Sequence, residues 1–251
     1  MKERPLRLAL IFAAISFLAS LIMIPYQLQI IPLPEAAPVH PAILFASSAI
    51  QTALITLLLS YLGIRLSSSV GLQLKLWKGW AYHQKHEGFA KRTVILAILG
   101  GIIVSLAISS LDRLFFIPSI PQLAQLPAQA PVPSRWLGLT TIFYGGIVEE
   151  LLLRLGLMTL FVWLFYRLFG KKTSSWMFIV AILLTSVLFG LGHLPATIQA
   201  FGELTSLLVI RAILLNSLAG ILFGWLYWKK GLEYAMIAHM TGDLMLHAIL
   251  S

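Results

Sequence analysis

At 251 residues, 59% hydrophobic and 11% charged, with a mean hydropathy of +0.91, the chain is too apolar for a soluble domain, in which about 25% of residues are charged. It has no cysteine, which excludes a disulfide framework, a thiolate nucleophile and a Cys-ligated metal site. The net charge of +9 falls mainly in short segments beside apolar runs, the pattern of topology signals and contacts to anionic lipid, not of a nucleic-acid surface.

The pattern predicts an all-α, polytopic transmembrane helical bundle of about seven spans, eight if the fourth element divides. Lys2, Arg4 and Arg7 precede an apolar run from Leu8 to Ile24. That run exceeds the usual signal-peptide core of about 7–15 residues and ends in no small-x-small site, so it is expected to stay as a first helix. Pro25 to Pro41, proline-rich and without Lys or Arg, reads as an outside loop holding His40, and Ala42 to Leu62 as the second span. From Arg65 to Arg92, basic residues interleave with Trp77, Trp80 and Tyr82, as suits a helix at the cytoplasmic headgroup level, with His83 and His86 solvated. Thr93 to Leu111 is the third span, and Asp112 to Ser134 a second proline-rich outside loop.

The fourth element, Arg135 to Phe169, is longer than the roughly 20 residues one span needs. Dividing it at Arg154 would strand Arg167, Lys171 and Lys172 outside, so one long or kinked helix is expected. Ser174 to His193, Leu204 to Trp228 and Leu232 to Leu250 follow as the fifth to seventh spans, placing the N-terminus in the cytoplasm and the C-terminus outside. Residues 1–134 carry no recognised motif, and the chemistry-bearing residues fall within 135–251.

Ionisable groups inside apolar helices cost several kcal/mol unless paired or hydrated. The fourth element holds Gly145-Gly146-Ile147-Val148-Glu149-Glu150, followed by Arg154. Glu150 and Arg154, four apart with the acid first, share a helix face in the order that favours an ion pair, whereas Glu149 points roughly 100° away. Glu149 is therefore the unpaired carboxylate and the candidate base. The fifth span ends in Phe189-Gly190-Leu191-Gly192-His193, with Phe189 and His193 on one face and glycines that let a neighbouring helix approach. The seventh carries His239, Asp243 and His247 at successive fourth positions, and an Asp so placed can fix a histidine's tautomer. Any one of these groups serves as well to pin helices together. Three on three helices point to one hydrated cavity, which Arg211 and Asn216 of the sixth span can also face.

Glu149-Glu150-x-x-x-Arg154, Phe189-x-x-x-His193 and His239-x-x-x-Asp243, in this order, resemble the CPBP family, the CAAX proteases and bacteriocin-processing proteins also called Abi. The family includes the type II CAAX prenyl endopeptidases and intramembrane metalloproteases. The resemblance covers roughly Arg135 to Ser251 and implies an intramembrane endopeptidase acting on CAAX-type, leader or membrane peptides. Glu149 would act as general base on a water with His193, while His239 and Asp243 orient or stabilise and Glu150, Arg154 and Phe189 support. Asp243 departs from the commoner family Asn. For the cofactor two alternatives stand: zinc or another divalent metal held by His193, His239 and Asp243, or none.

Two other classes compete: a catalytically silent immunity or scaffold protein, and an ion or proton transporter, for which inverted repeats are expected and not found. The prenyl-protease relatives work at the cytoplasmic face, yet the topology above puts Glu149 and His193 in the outer half. Either the topology is inverted or this site opens the other way.

Overall fold

The computed structural model describes residues 4–30, 40–83, 88–123 and 134–250. Among these residues every regular element is a helix, as expected where a backbone in lipid must satisfy its N–H and C=O groups within its own segment. Helix α1 is Pro5–Ile30, α2 Pro41–Ser67, α3 Lys75–Tyr82 and α4 Lys91–Leu111. Helix α5 runs over 141–168: a turn at Thr141–Phe143, π-helical stretches at Tyr144–Glu149 and Leu151–Met158, and a regular end at Thr159–Leu168. Then come α6 (Ser175–Gly192), α7 (Leu194–Phe201), α8 (Ser206–Lys229) and α9 over 232–249, in which Leu232–Leu244 continues as a π turn, Met245–Ile249.

Among the described residues five helices are long and apolar enough to cross a membrane: α1, α2, α4, α6 continued into α7, and α8. The remaining two of the seven expected hydrophobic elements, α5 and α9, both contain π turns. The chain is a multi-pass membrane protein of helices, and α5 and α9 carry two of the three charged motifs. A π turn widens a helix locally and is common at functional sites.

Several boundaries differ from those expected. Helix α1 passes through Pro25 and ends at Ile30; a membrane helix tolerates an internal proline when neighbours re-satisfy the freed backbone groups. The rest of that loop, 31–39, lies outside the described residues. His40 is the N-cap of α2, where its ring accepts from the Ala42 N–H at 3.2 Å. Helix α4 continues past Leu111 as a π turn, Asp112–Phe116. There Asp112 accepts two 2.6 Å hydrogen bonds from Arg211 of α8, a bidentate pair that partners both charges near lipid. The fourth element is kinked: a separate turn, Arg135–Gly138, precedes α5.

The expected interfacial helix is α3. Trp77 packs edge-on against Phe12 with ring centroids 5.0 Å apart, and Tyr82 donates to the Arg4 carbonyl at 2.9 Å. Glu233, at the start of α9, accepts from the N–H groups of Leu76 at 2.8 Å and Trp77 at 3.3 Å. That carboxylate supplies the cap the helix lacks from its own sequence. His83 is the left-handed C-cap of α3, and His86 lies outside the described residues. Helices α6 and α8 cross closely, because a Cβ at Gly190 would overlap Ile213 and one at Gly220 would press on Ser186. Gly192, expected to allow the same approach, meets nothing nearby and borders a cavity instead.

The Arg211–Asp112 pair should hold α4 to α8. A double-mutant cycle of Arg211→Ala and Asp112→Ala, read by thermal unfolding in detergent, is expected to give a favourable coupling of about 0.5–3 kcal/mol. Additive single effects would show the pair to be incidental.

Candidate functional site

The close approach of α5 and α9 builds the centre of the bundle. A Cβ at Gly145 would overlap Asp243 Oδ2 and lie 3.0 Å from His239 Nε2, and one at Gly146 would overlap Met240. The Gly-Gly pair thus lets the imidazole and carboxylate of α9 lie directly on the backbone of α5, beside the two glutamates.

Glu150 and Arg154 are both wholly buried, with Arg154 Nε 3.4 Å from Glu150 Oε2. Arg154 also donates from Nη2 to the Gly220 carbonyl at 3.0 Å. Its guanidinium carbon lies 5.4 Å from the centroid of the Phe189 ring and 5.6 Å from that of Phe223. Aromatic faces attract a cation most strongly when it is desolvated. The second oxygen of Glu150, Oε1, accepts from His239 Nδ1 at 2.9 Å. A carboxylate here can only accept, so the proton sits on Nδ1.

The other ring nitrogen, His239 Nε2, lies 3.6 Å from Glu149 Oε2 and 3.7 Å from Asp243 Oδ1. Phe223 stacks on this imidazole at 4.4 Å and Phe189 meets it edge-on at 5.7 Å. The side chain of Glu149 is 20% exposed where that of Glu150 is 0%. The expected division between a paired and a free carboxylate is therefore present in sharper form: Glu150 serves two partners, and Glu149 faces open space.

That space is a cavity of about 600 Å³ bordered by Glu149, His193, His239, Asp243 and His247. His193, at the end of α6, donates from Nδ1 to the Phe189 carbonyl at 2.8 Å. Because a carbonyl can only accept, a neutral His193 presents Nε2 as an acceptor. Its ring lies edge-on to Phe189 at 4.8 Å. His247 continues the expected stripe to the cavity rim, where its Nδ1 is 3.1 Å from the Tyr26 hydroxyl of α1. Asn216 also borders the cavity, and donates to the Ala212 carbonyl at 2.8 Å. Arg211 does not border it, being held by Asp112.

Sequence reading passed over Phe223, the Gly220 carbonyl and Tyr26. Phe223 is one more aromatic in an apolar helix, a backbone oxygen has no sequence signal, and Tyr26 sits beyond Pro25, where a loop was expected.

Residues 131–245 match the family model described as type II CAAX prenyl endopeptidase Rce1-like. The C-terminal part of the chain is thus similar to an Rce1-like domain. This is a peptidase family, whose setting is the membrane and whose substrates are peptides. No curated protein and no solved structure matches the chain. The match spans the three motifs, whereas the first helices lie ahead of it, although α1, α2 and α4 all contribute residues to the cavity wall.

The expected metal set, His193, His239 and Asp243, does not come together. Among the described residues no group of three or more His, Asp or Glu is placed to hold a metal ion. Each imidazole has Nδ1 engaged, His193 with the Phe189 carbonyl and His239 with Glu150, which leaves only Nε2 of each ring as a donor. A catalytic zinc needs three donors at about 2.0–2.2 Å.

Glu150→Ala removes the anion that faces both Arg154 and His239. Stripping one partner from a buried pair costs about 3–5 kcal/mol, so the melting temperature in detergent should fall sharply. Glu149→Ala should change stability by no more than about 1 kcal/mol. The reverse order of the two variants would exchange the parts assigned to the two carboxylates.

Proposed function

We propose that the Rce1-like domain is an intramembrane endopeptidase that hydrolyses a peptide bond with a water activated by Glu149. The observation that carries this reading is the contrast between neighbours: Glu150 is wholly buried and committed to Arg154 and His239, while Glu149 opens onto the cavity shared with His193. A carboxylate bordering such a cavity can take a proton from a bound water, and general-base catalysis contributes about 10²–10⁴-fold.

In the proposed reaction a water donates one proton to Glu149 and directs the other toward the acceptor Nε2 of His193. Its oxygen attacks the scissile carbonyl carbon, a C–O bond forms, and the carbonyl π electrons move onto oxygen. His239, as an imidazolium with Nδ1–H held by Glu150 and Nε2–H directed to the cavity, faces that oxyanion. When the C–N bond breaks, Glu149 returns its proton to the leaving amine. Asp243 lies beside His239 Nε2 and can donate a hydrogen bond to the oxyanion only in its acid form. The commoner family Asn is a donor at all pH values.

The substrate is a peptide with an apolar stretch, because leucines of α5, α6, α8 and α9 line much of the cavity. CAAX-type, leader and membrane-protein peptides all meet that requirement. No step in this scheme uses a metal.

Glu149→Gln preserves size and hydrogen bonding but not basicity. Cleavage of a quenched-fluorescence peptide by the purified variant should drop about 10²- to 10⁴-fold with the melting temperature unchanged. Undiminished turnover would remove the enzyme assignment and favour a silent scaffold.

Asp243→Asn separates the two cofactor alternatives. With Glu149 and His193 activating the water, the variant should retain or raise activity, and chelators should have no effect on the wild type. Loss of activity in the variant, together with chelator inhibition that added zinc reverses, would instead establish a metal site through Asp243.

A further inference from the structure

The two ends of the helical bundle differ in charge, and the cavity belongs to only one of them. All but four of the 18 Lys and Arg lie ahead of or at the start of α1, between the end of α2 and the start of α4, at or after the end of α5, or at the end of α8. The fold gathers these segments at one end. Tyr82 bonds the Arg4 carbonyl at 2.9 Å, Leu232 N–H bonds the Gln73 carbonyl at 3.0 Å, and Ala90 N–H bonds the Tyr234 hydroxyl at 3.0 Å. The end of α5 packs on the turn after α2. Of the four exceptions, Arg154 is buried in the site and Arg211 is bound to Asp112. Arg113, Arg135 and the Asp112-bound Arg211 are the three that lie near the opposite end.

Toward that opposite end the cavity is bordered by Tyr26 and Gln27 of α1, His193 and Ala196 where α6 meets α7, and His247 of α9. The lining deeper in the bundle turns to Leu153, Leu157 and Phe223, and no residue of the basic end contributes to it. Cytoplasmic segments carry the excess of Lys and Arg, which an anionic leaflet attracts. The basic end is therefore the cytoplasmic one.

From this we infer that the cavity opens to the non-cytoplasmic face of the membrane, and that its substrate is an apolar peptide segment presented there, as at the outward end of a membrane-inserted chain. The direction of opening stands on charge and geometry alone; the substrate class rests also on the peptidase reading above. Water, the co-substrate, reaches Glu149 from the same side, past the polar rim of Tyr26, Gln27, His193 and His247.

The absence of cysteine makes the test direct. Ala196→Cys and Glu203→Cys place single thiols at exposed positions of the rim end, and Lys172→Cys places one at the exposed basic end. A membrane-impermeant maleimide should label the first two in right-side-out vesicles and the third only in inverted vesicles, with detergent-solubilised protein as the full-labelling control. Two independent rim-end positions guard against one variant that fails to fold. The opposite pattern overturns the inference.

A second arm reads the substrate side. Proteoliposomes are sorted by orientation through the Lys172→Cys label, and an impermeant quenched peptide is added outside. Cleavage should occur only when the Ala196 end faces out, and cleavage from the Lys172 end alone overturns the proposal. No cleavage in either orientation, with labelling as expected, counts against the peptidase reading and leaves the direction of opening standing.

Discussion

A guanidinium without access to water, inside an apolar bundle, needs partners, and those of Arg154 draw four helices together although its Nη1 makes no hydrogen bond. Glu150 comes from its own helix, the Gly220 carbonyl and the Phe223 ring from α8, and the Phe189 ring from α6. Glu150 then reaches α9 through His239. Removing a buried charge's partner costs several kcal/mol, so this cluster strongly disfavours any other arrangement of the helices that meet there. Each element that bears a motif is thereby anchored to the same cation. Phe189, which in sequence is only an aromatic four residues before a histidine, is one of the surfaces on which that cation rests.

The cluster also explains how two adjacent carboxylates come to occupy different surroundings. The π-helical stretches of α5 meet at Glu149 and Glu150, and α9 lies against them because Gly145 and Gly146 offer no side chain to hold it off. His239 is then shared: Nδ1 bonds Glu150 and Nε2 faces Glu149 and Asp243. One carboxylate is consumed in holding the structure and the other is left bordering the cavity. Environments that drive two like groups apart are a recurrent way of assigning them separate chemical roles.

The seven hydrophobic elements were legible because lipid imposes long apolar runs, and the cytoplasmic interface because basic and aromatic residues mark it. The Glu150–Arg154 pair was legible because residues four apart share a helix face, a relation that survived even across π-helical turns. Less legible were the ends of the helices. Pro25 reads as a boundary by its missing N–H, yet α1 continues through it and delivers Tyr26 to His247. Asp112 reads as the start of a loop, yet it stays helical where it accepts the two hydrogen bonds of Arg211 from α8. In both cases the partner lies on a helix about a hundred or more residues away, beyond the reach of any local pattern.

By itself the sequence determined that this is a membrane-embedded helical protein, that its motifs of charged and imidazole groups within apolar helices fall in residues 135–251, and that Glu149 rather than Glu150 is left unpaired on its own helix. These are properties of composition and helical period, which need no partner to be read. Tertiary structure decided what those residues face. It put Glu150 rather than Asp243 on Nδ1 of His239, turned His193 toward the Phe189 carbonyl, kept the expected metal set apart, and placed the cavity rim at the end remote from the basic residues. Each of these depends on how separate helices pack, through glycine contacts and a buried cation whose partners lie on different helices. A one-dimensional spacing cannot encode the distance between side chains on two helices.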